Sequence, residues 1–156
     1  MESQGIVVGT IPGGATSMGV RPIQMMGFMD AIKTCITEKY VDFSGRASRS
    51  EFWWFQLFMF LLQMGLFVLQ MVALFSFPEI FTAIYWVTIV VSLGLFLPSL
   101  SVGVRRLHDI GKSGWYLLLV ILLSFICIGI ILWIVWMLSE GELTNQYGPP
   151  PTNQVS

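Results

Sequence analysis

Residues 52–78, FWWFQLFMFLLQMGLFVLQMVALFSFP, form an apolar run that contains no Asp, Glu, Lys, Arg or His. Two further runs of this kind occupy residues 80–104 and 114–138. About 20 helical residues cross a hydrocarbon core of roughly 30 Å, so each run can cross a bilayer once with tilt. None is long enough to cross twice. The three runs therefore predict three transmembrane helices.

The composition excludes an ordinary soluble domain. Of 156 residues, 55% are hydrophobic and only 11% are charged, and the mean hydropathy is +0.76. Together with the three apolar runs, this predicts an all-α integral membrane protein, a small bundle of three transmembrane helices preceded by an amphipathic interfacial helix. Cys35 and Cys127 should lie at different depths, and His108 is the only histidine. We expect no metal, cofactor or nucleic-acid partner.

Three regions follow from the changes in composition. Residues 1–24 are rich in Gly, Ser, Thr and Pro and predict a flexible tail. This tail contains a P-loop look-alike at Gly9, Gly14 and Thr16, but Ala15 replaces the essential lysine, which argues against nucleotide binding. Residues 25–138 form the predicted membrane domain, and residues 139–156 form a polar, proline-rich tail.

An amphipathic helix is predicted over residues 25–40. Its apolar residues recur at spacings of three and four, namely Met25, Phe28, Met29, Ile32, Ile36 and Tyr40. In a membrane protein, such a stripe either lies in the headgroup region or packs on the spans, and we favour the headgroup region.

The basic residues predict the topology. In a three-span arrangement all eight fall on one side: Arg21, Lys33, Lys39, Arg46, Arg49, Arg105, Arg106 and Lys112. The positive-inside rule then places the N-terminus in the cytoplasm and the C-terminal tail outside. A break within residues 124–129 would instead make the last run re-entrant and return the tail to the cytoplasm.

Two polar motifs flank the runs. Residues 45–55, GRASRSEFWWF, combine a capping box at Ser48 and Glu51 with interfacial tryptophans, and residues 105–116 are RRLHDIGKSGWY. With NQYGPPP at residues 145–151, these motifs resemble the YhaH/YhaI-like family of small bacterial inner-membrane proteins. The resemblance runs from about residue 26 to residue 151. It implies a multi-pass protein of the bacterial inner (plasma) membrane and implies no activity.

The charged residues of these motifs should meet at the cytoplasmic face. The candidate binding residues are Arg46, Arg49, Arg105, Arg106, His108, Asp109 and Lys112, with Glu51 nearby. We favour an ion-paired structural network at this low-dielectric boundary. Binding of anionic lipid headgroups by the arginines comes second. Catalysis by His108 with Asp109 comes third, because neighbours in sequence need not touch and no nucleophile is marked by its spacing.

A polar stripe lies on the first predicted span. Gln56, Gln63 and Gln70 repeat every seven residues, and the second span carries a line of small residues at Thr88, Ser92, Ser99 and Gly103. Amides in hydrocarbon need partners, so the two faces should pack together or mediate self-association. A polar pathway for a solute is the alternative, which we disfavour because the runs contain no ionisable residue.

These observations leave several functions open. The favoured one is a non-enzymatic membrane adaptor or envelope-associated component, whose partners are membrane lipids and a membrane protein or a second copy of the chain. The alternative is an oligomeric channel or transporter that uses the glutamine face. A lipid-modifying enzyme with His108 and Asp109 is third.

Overall fold

The computed structural model of the protein describes residues 26–142, 145–148 and 151. Within them the chain is helical apart from turns and one bridge between Asn145 and Gly148. The helices are α1 (Phe28–Lys33), continued by a π-helical segment (Thr34–Glu38), then α2 (Arg49–Ser76), α3 (Pro78–Asp109), α4 (Tyr116–Ser124) and α5 (Ile128–Leu138). The all-α prediction is confirmed. The predicted flexible tail and its P-loop look-alike lie outside the described residues.

The two long helices α2 and α3 form a hairpin. The Ser48 side chain accepts a hydrogen bond from the Glu51 backbone N–H at 3.1 Å and caps α2. The turn is tight because Pro78 occupies the first turn of α3, where a missing N–H costs nothing. With 28 and 32 residues, the helices are about 42 and 48 Å long. Both are long and apolar enough to cross a membrane.

The third predicted span is not one helix. Residues 114–138 form two short helices, α4 and α5, which pack against each other as a second hairpin. The chain reverses at residues 125–127, where Cys127 adopts a left-handed conformation with φ 61°. Gly129 permits the reversal, because a Cβ at this position would overlap the Val120 carbonyl oxygen. The prediction of a continuous helix here is therefore corrected, and the break falls where the re-entrant alternative required it.

The amphipathic segment packs on the long hairpin. Ala31 and Cys35 are fully buried, and the Phe28 ring meets the Trp54 ring edge-on at 5.8 Å. The Ser101 hydroxyl of α3 donates to the Asp42 carbonyl at 2.6 Å and thereby holds the loop that follows the segment. Met29 points outward with 71% exposure. The face that packs on the hairpin therefore centres on Ala31 and Cys35, whereas the predicted apolar stripe is only partly buried. The headgroup placement of that stripe stays a prediction.

The glutamine stripe faces α3 inside the long hairpin. The Gln63 amide donates to the Ser92 hydroxyl at 3.1 Å, and the Gln70 amide donates to the Thr88 hydroxyl at 2.9 Å. Gly103 instead lies against the Trp133 ring of α5, and a Cβ added to Gly103 would be 3.2 Å from that ring. The Ser99 hydroxyl bonds to the Leu95 carbonyl of its own helix at 2.8 Å, and Gln56 lies half-buried one turn beyond Phe52.

Candidate functional site

Charged side chains gather where the start of α2, the end of α3 and the end of α5 meet. We call this cluster the charged junction; it consists of Arg46, Glu51, Arg105, Arg106 and Asp109. Each of the five is at most 4% exposed. A buried charge is costly unless it is paired and hydrogen-bonded. The pairing inside the junction therefore decides whether this end of the protein folds.

Asp109 bridges two arginines. Its Oδ1 accepts from Arg46 Nε at 3.0 Å and from Arg46 Nη2 at 2.8 Å, an arrangement that fixes the guanidinium plane. Its Oδ2 pairs with Arg106, which lies one helical turn earlier on α3. The carboxylate thus joins the loop before α2 to the end of α3.

A second buried pair lies beside the first. Arg105 Nη1 contacts Glu51 Oε1 at 2.5 Å, and the Cys35 thiol approaches the same carboxylate at 3.8 Å. Burial raises the pKa of the Cys35 thiol to about 12, and the Glu51 charge adds to this shift. The thiol therefore stays protonated and unreactive at neutral pH. The Arg105–Glu51 pair joins α3 to α2, and the Cys35 thiol links the amphipathic segment to it.

The C-terminal part of the chain completes the junction through its backbone. Arg106 Nη2 donates to the Met137 carbonyl at 3.3 Å and also contacts the Ser139 carbonyl. The last carbonyls of a helix have no partner within the helix and carry its negative dipole end, so a guanidinium caps them well. Arg106 thereby holds the C-terminus of α5 next to the C-terminus of α3.

The segment after α5 continues over this end. Arg46 Nη1 donates to the Gly148 carbonyl at 3.0 Å, and the Glu142 backbone N–H donates to the Asp109 carbonyl at 2.9 Å. The His108 ring stacks on the Tyr147 ring with centroids 3.9 Å apart. This described part of the tail therefore covers the end of α3.

His108 and Asp109 do not act as a pair. The His108 Nδ1 atom lies 3.1 Å from the Gly45 carbonyl, whereas the Asp109 carboxylate is engaged by Arg46 and Arg106. The described residues also contain no group of three or more His, Cys, Asp or Glu side chains that could hold a metal ion. His108 therefore lies beside the charged junction and contacts the loop before α2, whereas Asp109 pairs with the buried arginines inside it.

Two candidate cations lie on the rim of the junction. The Arg49 side chain is 46% exposed and lies 3.7 Å from Glu140, itself 85% exposed. Lys112 Nζ lies over the Tyr116 ring at 5.3 Å and over the Trp136 ring at 4.8 Å. Of the seven predicted binding residues, these two are the cations that solvent or lipid can reach.

Sequence reasoning missed the contributions of Cys35, Tyr147 and the backbone carbonyls that follow α5. The predicted apolar stripe left out Cys35, although Cys35 follows Ile32 by three residues, a spacing that places both on one side of a helix. The Asn145 to Gly148 turn was visible as a polar tetrapeptide ending in glycine, and Gly148 has φ 117°. Nothing in the sequence indicated that this turn meets Arg46.

The long apolar hairpin and the charged junction at its base define a small helical protein of membrane type. The chain belongs to the DUF805 family, described as a protein of unknown function, which matches residues 40–149. The family resemblance of the sequence motifs is thus confirmed.

Two relatives from Escherichia coli strain K12 are similar to the chain. The inner membrane protein YhaI is 34% identical over 118 residues, which cover 74% of this chain and 91% of YhaI. The inner membrane protein YhaH is 36% identical over 120 residues, which cover 74% of this chain and 92% of YhaH. No solved structure matches the chain.

Proposed function

We propose that the protein is a non-enzymatic inner-membrane component whose cytoplasmic end binds anionic lipid headgroups through Arg49 and Lys112. The observation that carries the proposal is the difference between buried and exposed cations. The donors of Arg46 and Arg106 are engaged by Asp109 and by backbone carbonyls, so these arginines serve the fold. By contrast, Arg49 is exposed and Lys112 is half-buried, so both can be reached from outside.

The membrane placement rests on helix length. Helices α2 and α3, at about 42 and 48 Å, exceed a hydrocarbon core of roughly 30 Å and cross it. Helices α4 and α5 have 9 and 11 residues, or about 14 and 17 Å, and reach only about halfway. The second hairpin therefore enters from one side and returns to it.

The tip of the short hairpin suits an apolar environment. Phe125 is 85% exposed, and the neighbouring Ile126 is exposed as well. The Ile126 and Cys127 backbone N–H groups donate to the Leu123 and Ser124 carbonyls at 3.2 and 3.1 Å. A turn inside a bilayer is tolerated when its backbone groups are satisfied in this way.

The distribution of charge supports a cytoplasmic polar end. All the lysines and arginines of the described ranges belong to the amphipathic segment, the junction, its rim at Arg49 or the loop after α3. The positive-inside rule places that end in the cytoplasm. Because α5 returns to it, the C-terminal tail lies there too, in place of the outside position expected for three spans.

Lipid headgroups are the ligand that this rim suits. Lys112 lies between two aromatic rings, and Trp115 beside them is exposed, a combination typical of the membrane interface. Each basic residue near an anionic surface contributes about 1 kcal/mol of binding free energy. The alternatives have less support, since His108 and Asp109 are not paired and the Gln63 and Gln70 amides bond within the hairpin.

The test is a lipid titration of the detergent-solubilised protein followed by native mass spectrometry. With phosphatidylglycerol as the probe, Arg49→Gln and Lys112→Gln should each weaken binding roughly fivefold, as expected for about 1 kcal/mol. Lys33→Gln is the matched control, because Lys33 is exposed and pairs with Glu38 at 3.8 Å, much as Arg49 pairs with Glu140, but it lies on α1 outside the rim of the junction. Equal phosphatidylglycerol binding by all three variants and the wild type would reject the proposal.

A further inference from the structure

The two halves of the molecule differ in the area of their cross-section parallel to the membrane plane. Near the charged junction, α2 and α3 are accompanied by α4, α5 and the amphipathic segment. Among the described residues, only α2 and α3 continue beyond the tip of the short hairpin, and their side chains there are largely exposed. The cross-section therefore becomes smaller at the depth of the turn between α4 and α5.

The difference can be expressed as an area. A helix with its side chains is about 10–12 Å across, so it occupies about 90 Å² of a membrane leaflet. Helices α4 and α5 together add about 200 Å² to the leaflet that they enter and nothing to the opposite one. The protein then takes up about twice as much area in one leaflet as in the other.

The short hairpin is held rigidly at its base. Arg106 binds the Met137 carbonyl at the end of α5, and the Trp133 ring packs on both Gly103 and Phe52, with the Phe52 ring 6.0 Å away. At the crossing near the tip, Gly129 brings the two backbones into direct contact. The extra area is thus a fixed feature of the fold, which lipid pressure does not easily remove.

We propose that the protein is a wedge in the cytoplasmic leaflet and that it favours membrane that bulges toward the cytoplasm. The partner is a lipid surface on which that leaflet is expanded, since there the additional helices fill area that lipids would otherwise have to cover. Membrane insertions confined to one leaflet are sensitive to curvature for this reason. The inference rests on the half-depth placement of α4 and α5 that belongs to the proposed function.

The experiment reconstitutes the full-length protein into vesicles of graded diameter. Proteolytic removal of a C-terminal tag reports which molecules have the cytoplasmic end outward, where the vesicle surface is convex. The ratio of outward to inward molecules should rise steadily as the vesicle diameter falls. In the same vesicles, an impermeant maleimide reports the side of Lys112→Cys and of Glu140→Cys, each in a Cys127→Ser background, because a returning hairpin puts both positions on the same side. Cys35 is buried and gives no background.

The two readouts separate the wedge from the placement beneath it. Equal labelled fractions of Lys112→Cys and Glu140→Cys with a rising ratio support both. Equal labelled fractions with a ratio that does not depend on diameter overturn the wedge and leave the half-depth placement intact. Labelling of Glu140→Cys on the side opposite to Lys112→Cys overturns the placement and the wedge together. A Phe77→Cys variant, at the turn between α2 and α3, is the positive control for labelling at a membrane surface.

Discussion

Both hairpins of this protein are apolar, yet they are built differently. The α2–α3 hairpin has long arms that are joined along their length by side-chain pairs such as Gln63 with Ser92. The α4–α5 hairpin has short arms, a backbone crossing at Gly129 and charged groups only at its base. Hydrophobicity makes both suited to a membrane. The position of the turn and the polar anchor determine how far each hairpin extends from the charged junction.

The anchor at the base explains why the short hairpin returns. Arg106 is fully buried and bonds both to Asp109 and to the carbonyl of Met137. Were α5 to continue away from this end, the guanidinium would lose the carbonyl acceptors and remain buried. A hydrogen bond to a charged group contributes about 1.5 to 3 kcal/mol, so losing the Met137 and Ser139 carbonyls has a cost of the size that decides a topology.

The largest effect is expected from Asp109→Asn. The variant leaves Arg46 and Arg106 buried without their carboxylate, so the free energy of unfolding should fall by about 3 to 5 kcal/mol. Chemical unfolding in mixed micelles measures the change. Glu140→Gln is the control: it also removes a carboxylate from an arginine, but the Arg49 pair is exposed and its loss should cost under about 1 kcal/mol. Equal losses in the two variants would contradict the anchor.

Gly129→Ala should have an intermediate effect on the short hairpin alone. The added methyl group meets the Val120 carbonyl, so the two arms must separate, at a cost of about 1 to 3 kcal/mol. Gly94→Ala and Gly65→Ala in the long hairpin are matched controls, because nothing lies within 4 Å of a Cβ at either position. The unfolding midpoints of the three variants make the comparison. A neutral Gly129→Ala would show that the arms do not cross closely.

The smallest effect concerns the side-chain pairs of the long hairpin. Gln70→Leu and Thr88→Val remove the two partners of one hydrogen bond, and a double-mutant cycle should give a coupling free energy of about 0.6 to 1.7 kcal/mol. No coupling would mean that the glutamine stripe does not hold the hairpin together. The stripe would then be open to a role between subunits.

Residue patterns predict much of the fold. The apolar runs and the capping box at Ser48 locate α2 and α3, because long helices in lipid follow from length and hydropathy. Length and hydropathy did not predict the structure of residues 114–138, because a single span and two short helices have the same apolar composition. The reversal depends on a left-handed residue that is cysteine and on one glycine, neither of which is a strong breaker by itself.

The sequence predicts which charged residues form the candidate site but not which of them pair with each other. The arginines, Glu51 and Asp109 stood in the two polar motifs, so their gathering at one end followed from the hairpin. Which carboxylate meets which arginine depends on the rotation of α2 against α3. The carbonyl partners of Arg106 depend on the return of α5, which the sequence offered only as an alternative.

The most direct measurement places the two ends of the short hairpin relative to the bilayer. Lys112→Cys and Glu140→Cys are made in a Cys127→Ser background and labelled with an impermeant maleimide in right-side-out and inverted membrane vesicles. Both cysteines should react only in inverted vesicles, whereas Phe77→Cys should react only in right-side-out vesicles. Reaction of Glu140→Cys on the same side as Phe77→Cys would contradict the returning hairpin.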